Sequence, residues 1–167
     1  FKSTKNFENE VQERIKTGSR PIVICEGDTD PRYLKAAAKL LGFADIEANV
    51  DFEWIGLKDS AGNTKGGGSA NIDSAIRFLR SNPQFITRSI LMLYDCDKPH
   101  PSEDFGDLHV RSIERRVENV NTDAGIENLL PNECFEDHFY SVKETKSGTK
   151  KTTIRDLRKE ALCDHLC

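Results

Sequence analysis

Three short apolar stretches set the frame of the chain. Residues 21–25 (PIVIC) and 89–94 (SILMLY) are nearly continuous apolar runs, the pattern of strands covered on both faces of a parallel sheet. Residues 51–57 (DFEWIGL) set Phe52 and Trp54 between polar neighbours and predict a further strand. Helical spacing fills the intervals. Phe7, Val11 and Ile15 recur every fourth position and predict a helix over 5–17, with Gly18 as its stop. Residues 31–41 follow with Pro31 in the first turn and Gly42 beyond the end. Ile72, Ala75, Ile76 and Leu79 predict a helix over 72–81. The order is helix, strand, helix, strand, helix, strand. That is the βαβαβ pattern of an α/β fold, a Rossmann-like, mostly parallel sheet of about four strands flanked by helices. The fourth strand is expected within 108–117. Leu108, Val110, Ile113 and Val117 fit neither period cleanly there, but a strand would complete the sheet.

The remaining segments are read more coarsely. Residues 58–71 form a polar, glycine-rich loop. Phe135 and Phe139 predict a short helix over 132–142, and 143–152 reads as a basic flexible loop. Ile154, Leu157, Ala161, Leu162 and Leu166 predict a last helix over 153–166. The organisation expected is a helical lead-in over 1–19, a main domain over 20–142, and a basic loop with a C-terminal helix over 143–167. A start at Phe1 and an end in apolar-periodic residues lead us to expect a piece of a longer protein.

Composition changes this picture in three places. At 167 residues, 37% hydrophobic and 31% charged, the chain suits one polar globular domain, or one with a small appendage. No run approaches the roughly 20 apolar residues of a membrane span. A net charge of −4 counts against a module that grips nucleic acid by overall charge alone. It does not exclude an enzyme whose carboxylates hold cations. Five cysteines, odd in number and without CxxC spacing, predict free thiols in a reducing cytoplasm and argue against zinc.

The candidate chemistry lies where strands end. The first strand runs into Glu26, Gly27, Asp28, Thr29 and Asp30; the third runs into Asp95, Cys96 and Asp97. Open α/β sheets bind ligands beyond the carboxyl ends of their strands, where strand order switches. Carboxylates gathered there repel one another unless a cation compensates. A hard divalent ion such as Mg²⁺ suits oxygen ligands of this kind. Acids after a strand also serve as turn residues and helix caps, and for Asp28 and Asp30 ahead of Pro31 both explanations stand. The four histidines are scattered, without HxH or HExxH pairing, and are given no ligand role.

These two strand ends, Ile22-Val23-Ile24-Cys25-Glu26-Gly27-Asp28-Thr29-Asp30 and Leu91-Met92-Leu93-Tyr94-Asp95-Cys96-Asp97, resemble the Toprim family of topoisomerases, primases and nucleases. The resemblance covers about residues 20–120 and implies a Toprim-like fold with the catalytic domain in 20–142. It implies that Glu26 is a metal ligand or general acid/base, that Asp95 and Asp97 are metal ligands, and that Asp30 helps to hold a second ion. The segment Gly125-Ile126-Glu127-Asn128-Leu129-Leu130-Pro131 resembles Toprim nucleases of the OLD (overcoming lysogenization defect) type and phage-defence relatives. That likeness implies a ligand role for Glu127, beside its explanation as an acid near a helix start. It implies a late catalytic lysine at Lys150 or Lys151, with Lys151 assigned. The cofactor implied is one or two Mg²⁺ or Mn²⁺ ions, and the substrate is DNA or RNA. An ATPase domain or subunit is a further implied partner, and an oligomer is left open. Arg111, Arg115, Arg116 and the 143–151 lysines are candidates for flanking phosphates, and Gly66-Gly67-Gly68-Ser69 for a helix start offering N–H groups to phosphate. The resulting expectation is an anti-phage nuclease effector. A regulatory Toprim-like sensor and a primase-like nucleotidyl transferase are the alternatives. Tyr33, Tyr94 and Tyr140 are expected to pack rather than act as nucleophiles.

Overall fold

The computed structural model describes residues 12–58, 61–97, 100–147 and 150–167, with 144–147 and 150–152 described by their backbone alone. Residues 12–17 are helical (α1). There follow β1 (Ile22–Cys25), α2 (Asp30–Leu40), α3 (Ala44–Asn49), β2 (Asp51–Trp54), β3 (Leu57–Lys58), β4 (Thr64–Lys65) and α4 (Ser69–Ser81). The chain continues through β5 (Ile90–Tyr94), β6 (Glu103–Phe105), β7 (Leu108–Ser112), β8 (Tyr140–Ser147), β9 (Lys150–Leu157) and α5 (Lys159–Leu166).

The main sheet has five strands in the order β2-β1-β5-β7-β6. The first four run parallel, and β6 pairs antiparallel with β7 at the edge. This is an α/β architecture compatible with a Rossmann-like fold, one strand larger than expected because of the β6 edge. The ambiguous 108–117 segment supplies β7. The chain leaves β1 toward β2 on one side and returns, through α4, to β5 on the other. Strand order therefore switches between β1 and β5.

Alternation along these strands decides where the core lies. Ile22 and Ile24 of β1, Ile90, Met92 and Tyr94 of β5, and Leu108 and Val110 of β7 point to one face. There they meet Ile15 of α1 and Ile72, Ala75, Ile76 and Leu79 of α4. Each fully buried side chain of this kind contributes about 1.5–3 kcal/mol. Leu91 and Leu93, on the other face, are only partly buried, so cover there is incomplete. Two smaller clusters lie on that side, Tyr33, Ile126 and Cys163 in one, Phe135, Phe139 and Leu162 in the other.

Several local expectations are corrected. The short helix expected over 132–142 is two 3-10 turns, Asn132–Cys134 and Asp137–Phe139, leading into β8. Phe135 and Phe139 are buried, but by turns rather than by one helical face. The basic loop expected over 143–152 forms the paired strands β8 and β9. The last helix begins at Lys159 instead of 153, because Ile154 and Leu157 belong to β9. The predicted 51–57 strand splits at Gly56, and Leu57–Lys58 pairs with Thr64–Lys65 inside the glycine-rich segment. Among the described residues, no helix is long and apolar enough to cross a membrane.

Candidate metal centre

In the β1–β5 register Cys25 faces Leu93, so both chains leave the sheet side by side, at the switch in strand order. Glu26, Asp95 and Asp97 come together there, each offering a carboxylate oxygen, all within 4.8 Å of one another. Glu26 and Asp95 are half-buried and Asp97 is exposed. Glu26 and Asp95 border an open groove of about 390 Å³ that also touches Gly27, Trp54, Thr64 and Gly67.

Glu26 is held in place by backbone. Its Oε1 accepts the Ser69 N–H at 2.8 Å, and its main-chain carbonyl accepts the Gly68 N–H at 3.2 Å. The first turn of α4 thus faces a carboxylate, as the helix dipole favours. Gly68, at φ +95°, takes a backbone conformation closed to most side chains, and this conformation aims the Ser69 N–H at Glu26. The glycine-rich segment does start a helix, as expected, but its first N–H binds the protein's own carboxylate.

Asp30 lies beneath this group and is 4% exposed. Its Oδ2 accepts the Gly27 N–H at 2.7 Å, so it ties back the turn that carries Glu26 and does not cap α2. Burial, reinforced by the Glu127 and Glu26 charges, pushes its pKa up to about 6 against the pull of the Gly27 N–H and Lys159. Burial together with the charges of Asp30 and Glu26 pushes Asp95 up to about 7. The site is a set of carboxylates whose charges lack compensation. Asp28 stands apart, paired with Lys58 at 3.3 Å.

Glu127 sits on the 3-10 turn Ile126–Leu129 and is fully buried. Two buried asparagines fix that irregular segment. Asn128 donates to the carbonyls of Arg116 and Thr122, and Asn119 donates to those of Glu127, Asn128 and Leu130. The Glu127 carboxylate meets Lys159 Nζ at 2.8 Å, and Thr29 Oγ1 lies 3.5 Å from its other oxygen. Burial lowers the Lys159 pKa, but Glu127, Asp95 and Asp30 outweigh it and hold the ammonium above its ordinary value. Asp30 and Glu127 therefore adjoin the three-carboxylate group without belonging to it. The side chains of Lys150 and Lys151 lie outside the described residues. The lysine that does reach the acidic centre, Lys159, was not anticipated. It opens a helix predicted to start six residues earlier, so it looked like a mid-helix surface charge.

The donor set fits a hard divalent cation. In an octahedral Mg²⁺ site adjacent ligands stand about 3 Å apart and opposite ones about 4.2 Å, so three oxygens within 4.8 Å of one another would draw together on binding an ion. Burial first, and neighbouring carboxylates second, raise the pKa values of Asp30 and Asp95, and a bound cation would oppose both effects.

The other candidates have intramolecular partners. Arg111 binds Asp104 and the Glu103 carbonyl; Arg115 is 3.8 Å from Asp123, and Arg116 donates to the Leu129 carbonyl. Tyr94 donates to Asp73 at 2.5 Å and stacks on His100, while Tyr33 is buried. Arg155 covers the ring of Tyr140. All five cysteines are free thiols. Searches of protein-family models, curated proteins and solved structures returned no match to this chain.

Proposed function

We propose that the protein is a metal-dependent nuclease of Toprim type that hydrolyses nucleic-acid phosphodiesters. One observation carries this reading. Glu26, Asp95 and Asp97 converge within 4.8 Å at the carboxyl ends of two adjacent parallel strands. A bound divalent cation would acidify its water and draw charge from the scissile phosphate. Glu26 accepts the Ser69 N–H on Oε1 at 2.8 Å and the Asp95 N–H on Oε2 at 3.4 Å, so backbone orients its carboxylate toward a ligand. Asp95 and Asp97 present carboxylates from the neighbouring strand. Lys159, anchored on Glu127, is a further candidate for the phosphate-binding lysine, beside Lys151. Water attacks phosphorus, the bond to the 3′-oxygen breaks, and the leaving oxygen gains a proton. Mg²⁺ or Mn²⁺ suits the oxygen-only donors. Five free thiols suit a reducing compartment. A role as a phage-defence effector working with an ATPase partner rests on the sequence resemblance alone.

The test is incubation of the protein with plasmid DNA and with RNA in Mg²⁺ or Mn²⁺, beside Glu26→Ala. Cleavage by the parent that disappears in the variant supports the proposal. Equal products from both would remove Glu26 from the chemistry. No cleavage by the parent, with metal binding retained, would favour a sensor built on the same centre.

A further inference from the structure

The segment expected as a basic loop is a free-standing ribbon. β8 and β9 pair with each other through eight register positions, from Tyr140 opposite Leu157 to Ser147 opposite Lys150. They form a sheet of their own, apart from the main one. Val142 and Ile154 fall on opposite faces by alternation, and they are 64% and 42% exposed. Neither face of the ribbon is therefore fully covered by the body. An uncovered two-stranded ribbon is marginally stable on its own.

Its charge differs from that of the rest of the chain. Residues 140–157 carry Lys143, Lys146, Lys150, Lys151 and Arg155 against Glu144 and Asp156, a surplus of three positive charges in a chain of net −4. Near the base the cations have partners: Lys143 with Asp156 at 3.3 Å, and Arg155 with Asp137. Farther out, the register sets Lys146 opposite Lys151. Like charges directly opposite one another weaken a ladder, and a polyanion would reverse that cost. The base adjoins the acidic centre: Leu157 ends β9, and Lys159, two residues on, contacts Glu127.

We propose that this ribbon is a clamp for duplex DNA, laid in the major groove, and that it delivers the duplex to the metal centre. Shape selects the occupant. The major groove of B-form DNA, about 12 Å wide, admits a two-stranded ribbon. The deep, narrow major groove of A-form RNA does not. Single strands are held on aromatic platforms, and the ribbon has one aromatic residue, Tyr140, at its base beneath Arg155. Strands of eight residues span about 26 Å, or about seven to eight base pairs at 3.4 Å each. The inference rests on the nuclease reading for the delivery step alone, since binding needs no turnover.

The experiment is fluorescence anisotropy of the full chain with labelled duplex DNA, duplex RNA and single-stranded DNA, with Ca²⁺ replacing Mg²⁺. It is repeated for Lys146→Glu/Lys151→Glu and for the milder Lys146→Gln/Lys151→Gln, with melting temperatures for each. We expect duplex DNA to bind about tenfold more tightly than duplex RNA. Both variants should lower the slope of log K against log salt by about two, as lost phosphate contacts require, with melting unchanged. Equal affinity for RNA or single strands, or binding and salt slope untouched in both variants, would overturn the clamp. So would no nucleic-acid binding at all. Cleavage assays separate the two claims. Ribbon-dependent DNA binding without cleavage keeps the clamp and removes the nuclease. Cleavage undiminished in both variants removes the clamp and keeps the nuclease.

Discussion

The two ends of the main sheet hold buried charge in opposite ways. At the amino end, Arg88 is 8% exposed, and both of its terminal nitrogens are engaged. Its guanidinium meets Asp51 at 2.6 Å and donates to the carbonyls of Arg20 and Arg14. Arg20 meets the other oxygen of Asp51 at 2.5 Å. Two guanidiniums share one carboxylate there, and the result is a clasp that ties α1 and the following turn to β2. At the carboxyl end, Glu26, Asp95 and Asp97 converge, and Asp95, Asp30 and Glu127 share the field of the Lys159 ammonium. Two of those acids titrate well above their ordinary range. The same sheet thus carries a closed electrostatic structure at one end and an open one at the other, and only the open one has capacity for a cation.

Breaking the closed end should give the largest loss of stability. Arg88→Ala leaves Asp51 with Arg20 alone and removes the donor of two carbonyls, and should cost about 3–5 kcal/mol in urea unfolding while leaving divalent-metal affinity unchanged. A parallel loss of metal binding would mean that the ends are not independent. At the open end, Lys159→Met leaves the buried Glu127 carboxylate without its partner and should cost about 2–3 kcal/mol. Adding Glu127→Leu should recover most of that loss. Full additivity in this cycle would show that the pair does not interact.

The pH dependence sharpens the contrast. Asp95 and Asp30 bind protons more tightly folded, near pH 7 and 6, than at their ordinary value of 3.8. Between those limits the folded state holds more protons, so the contribution of these groups to stability falls as pH rises from about 4 through 7. With solvent screening at this partly open site, the loss without metal should be of the order of a few kcal/mol, and Mg²⁺ should restore it above pH 7. Asp95→Asn should flatten the profile; a variant profile parallel to the parent's would place the titration elsewhere. The smallest effect is expected at Gly125, at φ +76°, where an added Cβ would lie 2.3 Å from Glu127 Oε2 and 2.4 Å from Lys159 Nζ. Gly125→Ala should cost at least the roughly 1–2 kcal/mol of a left-handed backbone and loosen the ion pair, visible as a lower Lys159 pKa by NMR.

Legibility in the sequence followed burial. β1 and β5 announced themselves because the central strands of a parallel sheet must be apolar, and Glu26, Asp95 and Asp97 were legible because they come where those runs stop. The ribbon was not, because both of its faces meet solvent and no apolar period survives in YSVKETKS or KKTTIRDL. α3 was missed for the same reason, since none of its residues is buried. Lys159 carried no local signal. Its partner Glu127 lies 32 positions earlier, on a turn held by Asn119 and Asn128, and only the fold brings the two together.

The central claim is that the carboxyl end is an electrostatically incomplete cation site. Calorimetric titration of Mg²⁺ or Mn²⁺ into the protein near pH 6.5, in two buffers of different ionisation enthalpy, tests it directly. The account predicts saturable binding that releases protons, because a cation displaces the protons shared by Asp95 and Asp30, and predicts loss of that binding in Glu26→Ala and Asp95→Asn. Absence of binding at millimolar metal, or binding unchanged in both variants, would contradict it.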